Sequence, residues 1–147
     1  MASVFVDDGY DRPGYIKPYQ ADQYDKDEQE RDPLSGALSF TYRTATKQEL
    51  IRHNHAVEKA LEKNKNDVES SLNAEKIAAQ FIVDRVSEWD AIDRKQNAVA
   101  ITVDNMLRLH PSLFAEVYKM VRGFRTSDPK PDGTNPDSKT DDEQTGN

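Results

Sequence analysis

The chain contains no cysteine. Disulfides and thiolate metal ligation are thereby excluded, and the usage fits a reducing compartment, so a cytoplasmic setting is expected. Long apolar runs are missing too: none approaches the roughly 20 residues that span a bilayer, and no membrane partner is expected. The opening Met1-Ala-Ser-Val-Phe-Val-Asp-Asp8 has no basic region ahead of a long apolar one, so it does not read as a secretory signal. Glycine numbers six, and no phosphate-cradling loop, glycine-centred cofactor fingerprint or nucleophile elbow occurs. No cofactor is expected. Apolar residues are 35% of the chain against 32% charged, with mean hydropathy −0.90, less core material than an average domain carries.

What there is lies unevenly along the chain. Residues 1–35 carry a net −5, residues 36–126 a net +2 and residues 127–147 a net −4. Almost all aliphatic side chains fall in the middle. The division predicts one compact helical core over 36–126, flanked by two acidic, disordered segments, an N-terminal arm over 1–35 and a C-terminal tail over 127–147. The arm holds Tyr10, Tyr15, Tyr19 and Tyr24, which either stay solvated or anchor a partner, since aromatic side chains carry much interface energy. A slightly basic centre between acidic ends lacks the dense cationic face that displaces counterions, and nucleic acid is not expected as a partner.

Within the middle, Leu38-Ser-Phe40-Thr-Tyr42-Arg43 alternates as a short strand does. Thr46-x-x-Glu49 has the form of a capping box and predicts a helix over about 47–63 with a thin stripe of Leu50, Val57 and Leu61. Asn64-Lys-Asn66-Asp67 reads as a break. Ala74, Ile77, Ala78, Phe81, Ile82 and Val86 recur at three- and four-residue steps, predicting a helix over about 68–88 closed by Trp89. The polar stretch Asp90–Ala98 reads as a turn in which Asn97 takes a left-handed conformation. Across it, Ala91-Ile92 and Val99-Ala-Ile101 can pair as a small hairpin. Thr102 is placed to cap a helix over about 103–109 with Met106 and Leu107 inward. Pro111 suits a first helical position, and the last helix runs through Leu113, Phe114, Val117, Met120 and Val121 to a stop near Gly123. The fold class expected is mainly α: about four short helices with a minor β-hairpin.

Residues that could carry chemistry are few. His53 and His55, two apart on a helix, point to different faces, whereas a helical metal pair needs four-residue spacing. They read as solvent-facing or flanking side chains, and His110 as a helix-start residue. Asp90 and Asp93 flank a turn, where Asp accepts backbone hydrogen bonds. Asp141-Asp142-Glu143 lacks the spacing of an EF-hand loop. No catalytic or metal-ligating residue is assigned, and no enzymatic activity is expected. The pair of helices over 103–109 and 111–125 allows a helix-turn-helix reading, with Lys119, Arg122 and Arg125 on the second. Its first turns, however, hold Leu113, Phe114 and Val117 rather than the polar side chains that meet base edges. Trp89 is either a core tryptophan or an anchor at the edge of a protein-binding groove.

The order of these features resembles a known family. An apolar helix running into Trp89-Asp90, a turn, Val99-x-Ile101-Thr102, then Leu109-x-Pro111-x-Leu113 and a final amphipathic helix is similar to the tail assembly chaperones of long-tailed bacteriophages and prophages. The resemblance spans Phe81 to Gly123, and Phe40-Thr-Tyr42-Arg43-Thr-Ala-Thr46 with its helix looks like the opening of such proteins. Asn97 and Ala100 stand where those proteins often carry Gly and Pro. The resemblance implies assembly rather than catalysis: binding of the tape measure protein, keeping it soluble, and recruitment of tail tube subunits, in the host cytoplasm. It also admits a homo-oligomer. A shallow apolar groove for client helices would then be built from Leu107, Leu113, Val117 and Val121, with Trp89 at its edge. Two other functions stay open, a structural virion component (a head–tail connector or tail-completion protein) and a small helix-turn-helix regulator.

Overall fold

The computed structural model describes residues 11–20, 25–27, 30, 33, 35–62 and 68–131. The expected break over 64–67, Tyr10 and Tyr24 of the expected arm, and the stretch 132–147 of the expected tail lie outside the described residues.

Seven elements follow in order: β1 (Arg12–Ile16), β2 (Leu38–Tyr42), α1 (Lys47–Glu62), α2 (Val68–Val83), β3 (Val86–Trp89), α3 (Val103–Leu107) and α4 (Pro111–Val121). The three strands form one antiparallel sheet in the order β1-β2-β3. The fold is therefore mixed α/β, four helices plus a three-stranded sheet, rather than mainly α with a minor hairpin. Of that hairpin only a single bridge forms, Ile92 opposite Ala98, with Val99 N–H donating to the Ala91 carbonyl at 3.1 Å.

Strand β2 is central, and its alternation is the one read from the sequence. Leu38, Phe40 and Tyr42 are buried while Ser39 and Thr41 are half-buried. β1 comes from the segment expected to be a disordered arm. Pro13 and Gly14 lie within it, opposite Thr41 and Phe40. Proline is tolerated on an edge strand, where its missing donor breaks no ladder. Gly14 is needed for close approach, since a Cβ there would meet Phe40 Cζ at 2.9 Å and Met120 Cε at 3.1 Å. The free side of β1 is sealed by the C-terminal segment: Tyr15 N–H donates to Ser127 Oγ at 2.8 Å and Asp128 N–H to the Tyr15 carbonyl at 2.9 Å. Tyr15, Ile16 and Ser127 are all buried, so part of the expected arm and the first residue of the expected tail pack into the fold.

β3 replaces the last turn expected of the preceding helix. That helix stops at Val83, and Val86–Trp89 pairs with β2 through a register shift at Thr41/Tyr42. A bulge of this kind, with Ser87 and Glu88 exposed, blunts the outer edge against further pairing.

The helix ends follow the sequence closely. Thr46 Oγ1 accepts from Glu49 N–H at 3.2 Å while Glu49 Oε1 accepts from Thr46 N–H at 2.9 Å, so the capping box forms. Thr102 Oγ1 accepts from Asn105 N–H at the start of α3. Pro111 opens α4, and His110 Nδ1 accepts from Ser112 N–H. At the end of α4, Phe124 N–H reaches the Lys119 carbonyl and Gly123 N–H the Met120 carbonyl, a Schellman closure around Gly123 at φ +83°. In the 90–98 turn, Asp93 Oδ1 accepts from Lys95 and Asn97 N–H. The left-handed residue is Gln96 at φ +68°, not Asn97.

One core joins these elements. Ile16, Leu38, Phe40, Tyr42 and Val86 of the sheet meet Ala79, Phe81 and Ile82 of α2, Met106 of α3, and Leu113, Val117, Met120 and Val121 of α4. Burying each large apolar side chain contributes about 1.5–3 kcal/mol. α1 is the exception. His53 is its one buried residue.

Candidate functional site

The expected groove does not form. Leu113, Val117 and Val121 face inward and are buried in the core, because the sheet is larger than anticipated and the apolar face of α4 is needed to cover it. Leu107 reverses its expected direction: Met106 fills the core, and Leu107 is 37% exposed. Trp89 is half-buried on β3 and packs against the core. Its indole N–H donates to the Val99 carbonyl at 2.6 Å, pinning the 90–99 loop. The five residues thus divide into three core side chains, one loop anchor and one exposed leucine.

Apolar side chains are left exposed elsewhere. Val68 and Leu72, one turn apart on α2, are 73% and 52% exposed. They lie on the same helical face as Ala79 and Val83, which follow two turns further on, with the exposed Glu75 and Lys76 between the two pairs. At its core end the stripe is covered, Ala79 being buried and Val83 half-buried; at its start it is open. Ile51 and Leu61 on α1 are also exposed.

Beneath α1 lies a polar and aromatic centre that the sequence pattern does not assemble. His53 stacks on Phe81 with ring centroids 4.0 Å apart, and its Nε2 lies 2.5 Å from the Tyr118 hydroxyl. Burial, then the nearby Arg85 and Arg122 guanidiniums, push the imidazole down to about 4. Burial also raises the Tyr118 phenol. Arg85 is buried, with its guanidinium 3.7 Å over the Phe81 ring and Nη1 donating to the Phe81 carbonyl. Its Nε is a buried donor with no partner. Glu49 binds Arg43 through two parallel hydrogen bonds of 3.0 Å and Arg85 at 2.9 Å. These bonds, foremost the one from Arg43, hold the carboxyl down at about 2 against the opposing cost of burial. For Arg85 the balance runs the other way. Burial lowers its pKa more than Glu49 restores it.

A signal for this centre is present in the sequence. Leu50, His53 and Val57 share one helical stripe; Phe81 and Arg85 are four apart on another, as are Phe114 and Tyr118 on a third. His53 reads as solvent-facing from sequence because histidine carries no apolar weight in a periodicity count.

A cleft of about 440 Å³ opens between residues 16–20 and α4, lined by Ile16, Pro18, Tyr19 and Leu113 together with Arg125 and Asp128. Arg125 is engaged there by Glu116 at 2.7 Å and Asp128 at 2.6 Å. Among the described residues no cluster of three metal-ligating side chains occurs, and no helix is long and apolar enough to cross a membrane.

Comparison with known proteins returned no matching family model, no matching curated protein and no matching solved structure.

Proposed function

We propose that this chain is a protein-binding assembly factor acting as a tail assembly chaperone: it holds a tape measure protein soluble and helps bring tail tube subunits to it. The observation that carries this reading is the uncovered start of the α2 stripe, Val68 and Leu72, on a helix whose other end is built into the core. Such a stripe suits the apolar face of an amphipathic client helix. The residue pattern from Phe81 to Gly123 supports the narrower assignment by its resemblance to that family, with β3 in place of the helix end expected before Trp89. The contact surface moves accordingly, from the α4 face to α2, with Ile51 and Leu61 of α1 as further exposed apolar positions.

Co-expression with the tape measure protein of the same phage or prophage tests the reading. The wild-type chain is expected to raise the soluble fraction of the client. Val68→Asp combined with Leu72→Asp is expected to abolish the rescue while leaving thermal stability of the isolated chain unchanged. Rescue undiminished in the double variant refutes the α2 surface, and no rescue by wild type refutes the chaperone role. Presence at fixed stoichiometry in purified particles would instead favour a structural virion component.

A further inference from the structure

The attachment of α1 depends on an unusual contact. Along its 16 residues the one buried side chain is an imidazole, and each of its two ring partners carries a guanidinium. Arg85, from the turn after α2, lies over the Phe81 ring on which His53 stacks. On α4, Arg122 lies 3.8 Å over the ring of Tyr118, the hydrogen-bond partner of His53. Glu75 of α2 acts on the Tyr118 side of the cluster. The carboxylate that α1 itself supplies, Glu49, is already shared between Arg43 and Arg85. Docked and neutral, His53 is accommodated; docked and protonated, it adds a third cation to two guanidiniums in a desolvated place.

We propose that α1 is a hinged cover: protonation of His53 swings it off α2 and α4 about its Glu49-anchored first turn, uncovering the Phe81 and Tyr118 rings, with Phe114 beside them. The rings are already grouped for this, Phe81 and Phe114 lying 6.4 and 6.2 Å from Tyr118. Aromatic clusters beside arginines are the composition that protein interfaces favour. In the released state the imidazole is solvated and takes a proton readily, so each proton bound favours release. The hinge end holds in the same range, because Glu49 stays ionised down to about pH 2.

Linkage sets the size of the effect. An imidazole at about 4 when docked and about 6.5 when free raises the opening equilibrium of α1 about 20-fold between pH 7 and pH 5. Freed from its packing, a helix of 16 residues is marginal in water and unwinds, so hydrogen–deuterium exchange of the full chain, corrected for intrinsic rates, reads the opening. Amides of residues 54–62 are expected to lose protection about 20-fold over that range while those of 117–121 and 38–42 keep theirs. His53→Phe keeps a ring against Phe81 and cannot titrate; it is expected to abolish the pH dependence. Loss of protection in α1 only in step with α4, or the same pH dependence in His53→Phe, overturns the proposal. Should His53→Phe not fold, wild type decides: a His53 NMR midpoint near 4 together with α1 protection lost ahead of α4 as pH falls supports the cover, and a midpoint near 6.5 overturns it.

Discussion

Replacing Glu49 by glutamine isolates the carboxylate that, among the described residues, ties α1 to Arg43 and Arg85. The amide side chain is nearly isosteric, keeps an oxygen for the Thr46 N–H and leaves the Thr46 hydroxyl cap untouched. What disappears is the negative charge between Arg43 and Arg85. The carboxyl sits at about 2 instead of its usual 4.5, which at about 1.4 kcal/mol per unit sets an upper limit of about 3 kcal/mol. The side chain is 27% exposed, and solvent screening reduces the figure. Arg85, only 8% exposed, loses more to burial than Glu49 returns, so the intact pair is a modest net gain. Breaking it still strands a buried guanidinium, which is the costly outcome. The expected loss for Glu49→Gln is about 2 kcal/mol at pH 7, a fall of about 1 M in the urea midpoint. Trp89, the single tryptophan, reports the transition by fluorescence. Because the folded-state pKa is depressed, the contribution is complete above about pH 4.5 and is lost as pH falls toward 2. Wild type and variant should therefore converge in acid. A cost under about 0.5 kcal/mol at pH 7, or a gap of constant size from pH 5 to pH 2.5, refutes the account.

Three further outcomes follow from the packing. Leu113→Ala should cost about 2–5 kcal/mol in chemical denaturation, whereas the same change at Leu72 should stay within about 0.5 kcal/mol, since the first is buried and the second exposed. Gly123→Ala should destabilise by about 1–2 kcal/mol, measured as a lower Tm, because its backbone is left-handed and a Cβ would lie 2.9 Å from Thr44 Cγ2. Ser127→Ala removes the acceptor for the buried Tyr15 N–H; a cost of about 1–2 kcal/mol is expected, with faster amide exchange at Tyr15 than at Phe40.

Local chemistry is legible in this sequence and long-range pairing is not. Thr46, Glu49, Thr102, Pro111 and Gly123 can be placed from the sequence because each acts on backbone within four residues of itself. The β2 alternation is equally plain. β1 escapes notice because Pro13 and Gly14 argue against a strand unless its partner is known. Here the partner lies across a long connection, in the register of Arg12↔Tyr42 to Ile16↔Leu38. β3 is hidden because Val86 continues the periodicity of Phe81 and Ile82, and only the sheet makes an extended Val86–Trp89 worthwhile. Those two omissions explain why residues expected to line a groove are core residues. With a single short strand and a minor hairpin expected, the apolar face of α4 is surplus, and Leu113, Val117 and Val121 fall to a partner. With three strands present, the same face is consumed in covering them. His53 escapes for a different reason: a buried imidazole is stabilised by Phe81 and Tyr118, from two other helices, and neither is near it in the chain.

The seal on β1 bears on the order in which the molecule can be made. Tyr15 and Ser127 are 112 positions apart, and at roughly 5–20 residues per second a ribosome needs on the order of ten seconds to travel between them. Throughout that interval the nascent strand has one unsatisfied side, open to pairing with a neighbouring copy on the same messenger. Chains released short of Asp128 never close it, so premature termination near the end of the core should yield aggregates rather than a slightly shorter working protein.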